Sequence, residues 1–571
     1  MLTFDHDYGL PALPVPELDD SCRHLKKMIK PLTGAEAFKN ASNALDALAS
    51  TQGVHLQELL LRQAYSCAHN TSWLWPIWDD LYLSFRGMLP INMNYAFQFF
   101  RNWWGDDDLS VLVSALSRTI GKMQTQTLPV EFNRDGYLSM HATAHTVYTR
   151  IPGRIRDTRH YSTISGHMTA SVVCKEHWFI LSLTDKEGNY IPAEGIANAL
   201  AYIRKRAQAE APAQLVGVMT CNDRESAALL RDELQALPQN RMNLARIANS
   251  VFTVCLDDPS DDEDAFSLHL LTGKPGNRWF DKSIQIISNG VDLGANLEHS
   301  GCDAGIWAYL LNQAGILRNT EVSPSAADAH VYKLVWNIPE ALNEKLEANE
   351  AQYQAEINKL SCRCRRINRI SKERIKAFDC SPDAFVQLLY QAAYHSLTGR
   401  FASVYEAVST RSFYQGRTDC ARPVTEASAG FIRSLRQGGG KEDLAEKFYL
   451  AVRTIGENMK HAQKALGPER HMAGLSMMAQ VHDLPLPDIF SAEGYKTLRH
   501  DTLSTSNTTA PFIDFFTFGP VVDDGFGIGY GIKEDALHIS VTTYDESAAS
   551  PERFIDEVER AAEEFYDILK R

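Results

Sequence analysis

In Asn296-Leu297-Glu298-His299-Ser300-Gly301-Cys302-Asp303-Ala304-Gly305 a histidine stands between two kinds of apolar run. Before it come the strand-like Ser283-Ile284-Gln285-Ile286-Ile287-Ser288 and a turn signal, Asn289-Gly290. After it comes Ile306-Trp307-Ala308-Tyr309-Leu310-Leu311, whose apolar pattern is compatible with a helix. A strand-to-helix junction predicts an α/β unit with His299 at its rim, where a general base belongs. Imidazole titrates nearest neutral pH, so it can take a proton from a hydroxyl or thiol and return it. Asp303, four residues on, is a carboxylate that could fix the tautomer and stabilise the imidazolium. An ordinary half-buried histidine satisfies the same pattern, and on these residues alone both readings stand.

A chain of 571 residues exceeds one simple core and predicts two to four domains, with 44% hydrophobic residues to fill them. No run reaches the ~18 apolar residues of a membrane span, so no membrane partner is expected. Met1–Asp7 has neither a basic region nor an apolar signal core, and Ile568–Arg571 is not a peroxisomal tripeptide. With ten scattered cysteines that read as reduced thiols, these features predict a cytoplasmic protein. Cys362 and Cys364 are the one close pair, too little for zinc, and no metal is expected. A net charge of −14 argues against a nucleic-acid partner.

Along the chain, residues 35–70 read as helices. Strands are predicted at Ser171–Cys174, Trp178–Leu183, Leu215–Thr220, Val251–Leu256, Ser283–Ser288 and Leu537–Thr543. Pro192–Gln208 and Asp223–Leu237 read as helices. So does the C-terminal segment, where Phe554, Ile555, Val558, Ala561, Ala562, Phe565, Ile568 and Leu569 keep helical spacing. Pro339–Leu360 reads as a charged connector helix with a thin stripe at Leu342, Leu346, Tyr353 and Ile357. The acidic run Asp257–Asp264 reads as a solvated loop, without the glycine and spacing of a calcium-binding EF-hand.

Other segments offer chemistry beside a plainer alternative. Arg363–Lys376 is basic; it is either a solvated face or a compact phosphate site, since Lys372 and Lys376 share a face if helical. Leu503-Ser504-Thr505-Ser506-Asn507 is a hydroxyl cluster, either a turn or a donor to a developing oxyanion. Asp523–Gly531 lacks a dinucleotide fingerprint and reads as a turn into a glycine-laced strand. Gly438-Gly439-Gly440-Lys441 reads as a flexible loop. No Gly-x-Ser-x-Gly elbow marks a serine nucleophile. Base-assisted direct transfer between two positioned substrates is what remains.

Taken in order, these stretches resemble the carnitine/choline acyltransferase family over nearly the whole chain. The likeness rests on Leu10-Pro11-Ala12-Leu13-Pro14-Val15-Pro16, Asn277–Lys282, Glu298-His299, Tyr405-Glu406, Gly416-Arg417-Thr418-Asp419, Arg470–Leu475, Ser504-Thr505-Ser506 and Gly519-Pro520-Val521-Val522. The resemblance implies two similar CoA-dependent acyltransferase-like α/β domains with an active-site tunnel between them. Residues 1–74 would be a helical segment packing with the C-terminal domain, 75–338 an N-domain carrying the histidine, and 339–571 a C-domain carrying donor- and acceptor-binding residues.

The resemblance also implies roles. His299 matches the catalytic base, Asp303 a nearby carboxylate and Ser506 the oxyanion donor. Lys372, Lys376 and Asp383 match the CoA side. Tyr405, Thr418 and Arg470 match the set that binds the carboxylate of carnitine; Ser504, Phe518 and Val521 match its ammonium side. Choline enzymes typically lack the threonine and arginine, so carnitine is favoured. Phe516 occupies the position where bulk closes the acyl pocket, implying short straight chains. No permanent cofactor is implied; acyl-CoA or another phosphopantetheine thioester is co-substrate.

Three departures qualify the likeness: Cys420-Ala421-Arg422-Pro423 after Asp419, Glu469 where Asp is usual, and Asn507 where Gln is usual. With only nine residues before the Leu10–Pro16 stretch, they leave an alternative open. Some fungal polyketide synthases end in a domain of this family, which moves an acyl chain from an acyl carrier protein onto an alcohol such as a polyol.

Overall fold

The computed structural model describes residues 2–67, 71–105, 108–163, 167–259, 263–318 and 329–570. Its β-branched and aromatic runs assemble into two large sheets, each covered by helices, giving an α/β protein. The first sheet has eight strands, in the order Val331–Lys333, His177–Ser182, Thr169–Cys174, Thr253–Leu256, Ile284–Ser288, Leu293–Leu297, Tyr95–Phe99 and Ile513–Phe518. The second has six, in the order Leu360–Ile367, Leu537–Tyr544, Phe526–Ile532, Leu503–Asn507, Val404–Ser409 and Thr418–Ala421.

The strand before His299, Leu293–Leu297, is buried along its length between Ile284–Ser288 and Tyr95–Phe99. Two-sided burial suits its small and apolar residues, and its one polar side chain, Asn296, is satisfied by the Leu270 carbonyl at 3.0 Å. Asp303 then occupies the N-cap position of the helix Ala304–Leu317, which packs with Asp108–Gln124 in the core of the first sheet. The second sheet is covered by Pro382–Thr398, Lys441–Gln463 and Pro551–Leu569. A third core joins the N-terminal helices Leu18–Ile29, Ala35–Ser50 and Gln52–Cys67 to Pro468–Val481 and Glu493–Arg499.

Ile513–Phe518 ties the two sheets together. It hydrogen-bonds to Tyr95–Phe99 in the first sheet and packs closely over Phe526–Ile532 of the second. The glycines of Phe526–Ile532 permit this approach: a Cβ at Gly527 would sit 2.6 Å from the Phe518 carbonyl oxygen, and one at Gly529 would collide with that of Phe516.

Most sequence-based elements appear with small boundary shifts, including Ala193–Ala209, Arg224–Ala236, Glu340–Ile357 and Pro551–Leu569. Two expectations fail. Leu215–Thr220 is no strand: Val216–Thr220 is a buried 3-10 turn closed by local bonds such as Val218 N–H to Leu215 O at 3.0 Å. Gly217 there presses against the carbonyls of Pro275 and Gly276, where a Cβ would stand at 2.8 Å from each. Nor is the whole acidic run a solvated loop. Asp257 is buried and bridges Arg278 at 2.7 and 2.9 Å, while the helix Glu263–Thr272 begins at the run's far end. Residues 260–262 lie outside the described residues. Among the described residues no helix is long and apolar enough to cross a membrane.

Candidate active site

A cavity of about 1140 Å³ opens between the two sheets, and His299 lines it. The histidine is held by its neighbours before any substrate is considered. Glu298, fully buried, accepts hydrogen bonds from Arg150 Nη1 at 2.9 Å, Ser300 N–H at 3.0 Å and Ser300 Oγ at 2.7 Å, and also from Tyr148 OH. Burial alone would raise this carboxyl, but Arg150, Tyr148 and Ser300 hold it below its usual range. Arg417 donates to the carbonyls of Ser300 at 3.0 Å and His299 at 3.2 Å, and Arg159 donates to Ser300 O at 2.7 Å. The backbone on both sides of the imidazole is thus clamped.

The ring follows from that clamp. His299 Nδ1 lies 3.1 Å from the Cys302 carbonyl, which can only accept, so Nδ1 carries the proton and Nε2 keeps its lone pair. Tyr82 and Tyr95 pack against the ring at 5.2 Å each. Burial lowers the imidazole below its ordinary 6.5; Asp303 opposes the fall and Arg417 adds to it. A neutral base with one free nitrogen facing a cavity can accept a proton from a bound hydroxyl.

Asp303 does not do what its spacing suggested. Its carboxylate is 3.9 Å from His299 Nδ1, beyond hydrogen-bond distance, and is instead bidentate with Arg417 at 3.1 and 3.2 Å. The Cys302 carbonyl, not Asp303, orients the ring, and the carboxylate acts on it only through its charge. Burial would raise Asp303, but Arg417 and His299 bring it below the ordinary value.

Across the cavity, Leu503–Asn507 is a central strand rather than a turn. Strand alternation sends Ser504 and Ser506 to one face, while Thr505 bonds on the other to Gln387, at 2.9 Å, and to Glu406. Ser504, Ser506, Tyr405, Thr418, Phe516, Phe518 and Val521 all line the cavity with His299 and Asp303. Phe516 is buried among Tyr95, Phe97 and Phe518, with ring centroids 5.4–5.8 Å away.

The remaining expected residues stand outside the cavity wall. Arg470 lies behind Tyr405, donating to its hydroxyl at 2.8 Å and stacking 4.4 Å over Trp78. Its buried Nε has no partner among the described residues. Lys372 and Lys376 fall on the short helix Lys372–Lys376, as the basic run allowed, but Arg363–Ile367 upstream is strand. Lys372 pairs with Glu534 at 2.5 Å, and Lys376 is exposed. Asp383 accepts from Tyr530 OH at 2.7 Å and from Asn507 Nδ2 at 3.2 Å, next to Ser506 in the chain. Among the described residues no group of three or more histidines, cysteines and carboxylates could hold a metal.

Sequence reasoning missed Arg417, although its motif was in view, because nothing ties it to Asp303 across 114 residues. It also missed that two of the three departures, Cys420–Pro423 and Glu469, form one set, while Asn507 bonds to Asp383 and Glu406 instead. Arg422 pairs with Glu469 at 2.8 Å and with Asp501 at 2.5 Å, and the Cys420 thiol lies 3.5 Å from Glu469.

The choline/carnitine O-acyltransferase family model matches residues 13–560. The chain belongs to that family. It is 27% identical to mitochondrial carnitine O-palmitoyltransferase 2 of Xenopus tropicalis, over 100% of this chain and 93% of that protein. It is 28% identical to peroxisomal carnitine O-octanoyltransferase of Bos taurus, over 95% and 93%. To carnitine O-acetyltransferase of Rattus norvegicus it is also 28% identical, over 95% and 90%. This acyltransferase is therefore similar to carnitine enzymes along almost their full length. None of these relatives is named for a carrier protein or a polyol, and the polyketide-release alternative has no support among them.

Proposed function

We propose that this acyltransferase moves short acyl groups reversibly between CoA and carnitine, with His299 as the general base. The observation that carries the acceptor is Arg470. Arg417 and Arg422 are each neutralised by carboxylates, whereas among the described residues Arg470 pairs only with a phenol and keeps an unpartnered Nε. Tyr405 and Thr418 on the cavity wall would receive the carboxylate of carnitine, with the buried Arg470 guanidinium supplying positive charge from behind through the Tyr405 hydroxyl it donates to.

His299 Nε2 takes the proton of the carnitine hydroxyl as the oxygen attacks the thioester carbonyl. Ser506 donates to the oxyanion, which collapses as the C–S bond breaks, and His299 returns the proton to the CoA thiolate. Lys372 and Lys376 hold the CoA phosphates, with Asp383 on the same side. Identities of 27–28% to palmitoyl, octanoyl and acetyl enzymes alike do not rank acyl length. Phe516 does, because its ring fills the space a longer chain would need. The test is turnover of acetyl-, butyryl-, octanoyl- and palmitoyl-CoA with carnitine. Acetyl- and butyryl-CoA are expected to be fastest, and Phe516→Gly to shift the optimum to longer chains. Absence of carnitine turnover with every donor sinks the proposal.

A further inference from the structure

Behind the wall that presents Ser504 and Ser506 lies a buried carboxyl, Glu406, that the acyl transfer itself does not use. Its Oε1 accepts from Asn507 N–H at 3.2 Å, and its Oε2 from Gln387 Nε2 at 2.7 Å. Oε2 also touches the Thr505 hydroxyl. That hydroxyl accepts from Gln387 Nε2 at 2.9 Å and stands 2.7 Å from the Tyr405 carbonyl oxygen. A carbonyl can only accept, so the single Thr505 hydrogen goes to Tyr405. The hydrogen between Thr505 and Glu406 must then come from Glu406.

The charges around it agree. Glu406 faces Asp383 and Tyr390 of the helix Pro382–Thr398 and Tyr530 of Phe526–Ile532. Asp419, on the adjoining strand, is held by Gly467 N–H at 2.8 Å. None of these is a cation, and two buried carboxyls without one between them do not both ionise. Burial raises both, and the charge of Asp383 adds to the rise of Glu406, which lies well above its ordinary 4.5. Asp383 stands in the first turn of its helix and has two donors of its own, Tyr530 OH and Asn507 Nδ2, so it is the ionised member.

We propose that Glu406 is held as a neutral carboxylic acid and is a positioning residue for the oxyanion step. Its O–H donates to Thr505, and Thr505 donates to the Tyr405 carbonyl. The two bonds join the paired strands Val404–Ser409 and Leu503–Asn507 between Ser504 and Ser506. Neutrality matters as well as geometry. An ionised Glu406 would set an unpaired negative charge against the N–H of Asn507, directly after Ser506. In a dry interior that charge would oppose the oxyanion Ser506 is to stabilise. The protonation stands on the hydrogen bonds alone, whereas its link to turnover rests on Ser506 acting as proposed above.

The test compares the full chain with two variants. Glu406→Gln keeps a neutral group that both donates and accepts; the Gln387 Oε1, which has no partner among the described residues, can meet its added N–H. Glu406→Leu removes the donor. Infrared difference spectra at neutral pH, wild type minus Glu406→Gln, should show the C=O stretch of a protonated carboxyl above the amide band, shifting in deuterated water. A carboxylate band in its place overturns the inference. Stability gives a second readout. A carboxyl raised on folding contributes stability below its unfolded value of 4.5 and loses it as pH rises toward the raised value. The urea midpoint of Glu406→Gln should therefore gain on the wild type between about pH 5 and 8. A constant difference, or a gain by the wild type, overturns the inference.

With acyl-CoA and carnitine, Glu406→Gln should hold kcat within about threefold, and Glu406→Leu should lower it about tenfold, as for the loss of one hydrogen bond. A wild-type kcat in Glu406→Leu removes the positioning role. Should that variant fail to fold, the infrared and urea readouts on Glu406→Gln decide. Absence of carnitine turnover in the wild type sinks the carnitine reading, and the infrared band still decides this one.

Discussion

The turn that carries His299 and the one that carries Lys372 and Lys376 are both strand-to-helix connections, yet they are held in opposite ways. The first is buried. Glu298 is locked by Arg150, Tyr148 and Ser300, and the backbone carbonyls of His299 and Ser300 are gripped by Arg417. The second lies at the surface, with one exposed ion pair to Glu534 and a capping bond from Arg374 N–H to Ser371 Oγ at 3.2 Å. A base must be fixed within a fraction of an ångström of a reacting proton, and that takes many buried partners. Charges that hold a flexible polyphosphate act at longer range and tolerate mobile side chains.

Breaking each turn in the same manner should expose this difference. His299→Ala is expected to lower kcat/KM by about 10²–10⁴-fold, the usual worth of a general base, with little change in stability. Retention of most activity would remove His299 from the chemistry. Glu298→Ala leaves Arg150 buried beside one remaining carboxylate, Asp157, and should cost about 3–5 kcal/mol in a urea titration. A loss below about 1 kcal/mol would mean that the clamp is not what holds the turn.

Proton linkage sharpens the contrast. Glu298 and Asp303 titrate below their ordinary values of 4.5 and 3.8 when folded. Their contribution is fully present above about pH 4.5 and is lost as pH falls through the lowered values. Acid unfolding should therefore be shallower in Glu298→Gln, as measured by circular dichroism against pH. The His299 imidazole is lowered below 6.5, so the neutral base persists to more acidic pH, and the acid limb of kcat/KM should lie under 6.5. An acid limb above 6.5 contradicts the burial of the ring. At the lysine turn the effects are smallest. Lys372→Ala should leave stability nearly unchanged, since the lost pair with Glu534 is exposed. It should raise KM for acyl-CoA a few-fold, and that rise should shrink in high salt as the ions screen the phosphates. An unchanged KM at low salt would take Lys372 out of donor binding.

The sequence carried the local part of this far. The apolar runs around His299 were legible as strand and helix because both lie in buried, regular elements with strong periodicity. Leu215–Thr220 was not, because a short apolar run cannot announce that its backbone turns beneath Pro275–Asn277. Asp257 looked like one of many solvated acids. It is the counter-ion of Arg278, 21 residues away, and no spacing rule links the two. For the same reason Asp303 was read as the partner of the nearest histidine rather than of Arg417.

The order of motifs in the chain was enough to determine the family and the α/β class, and it named several of the residues that line one cavity, though Arg470, Lys372, Lys376 and Asp383 stand outside it. Those are properties of local pattern and of which residue types occur where. Tertiary structure alone decided which cation each buried carboxylate serves, that the Cys302 carbonyl rather than Asp303 orients His299, and that Asp501 lines the cavity. Charge pairing in a buried site depends on separations through space of a few ångströms. Sequence separation does not encode them until the sheets have closed on one another.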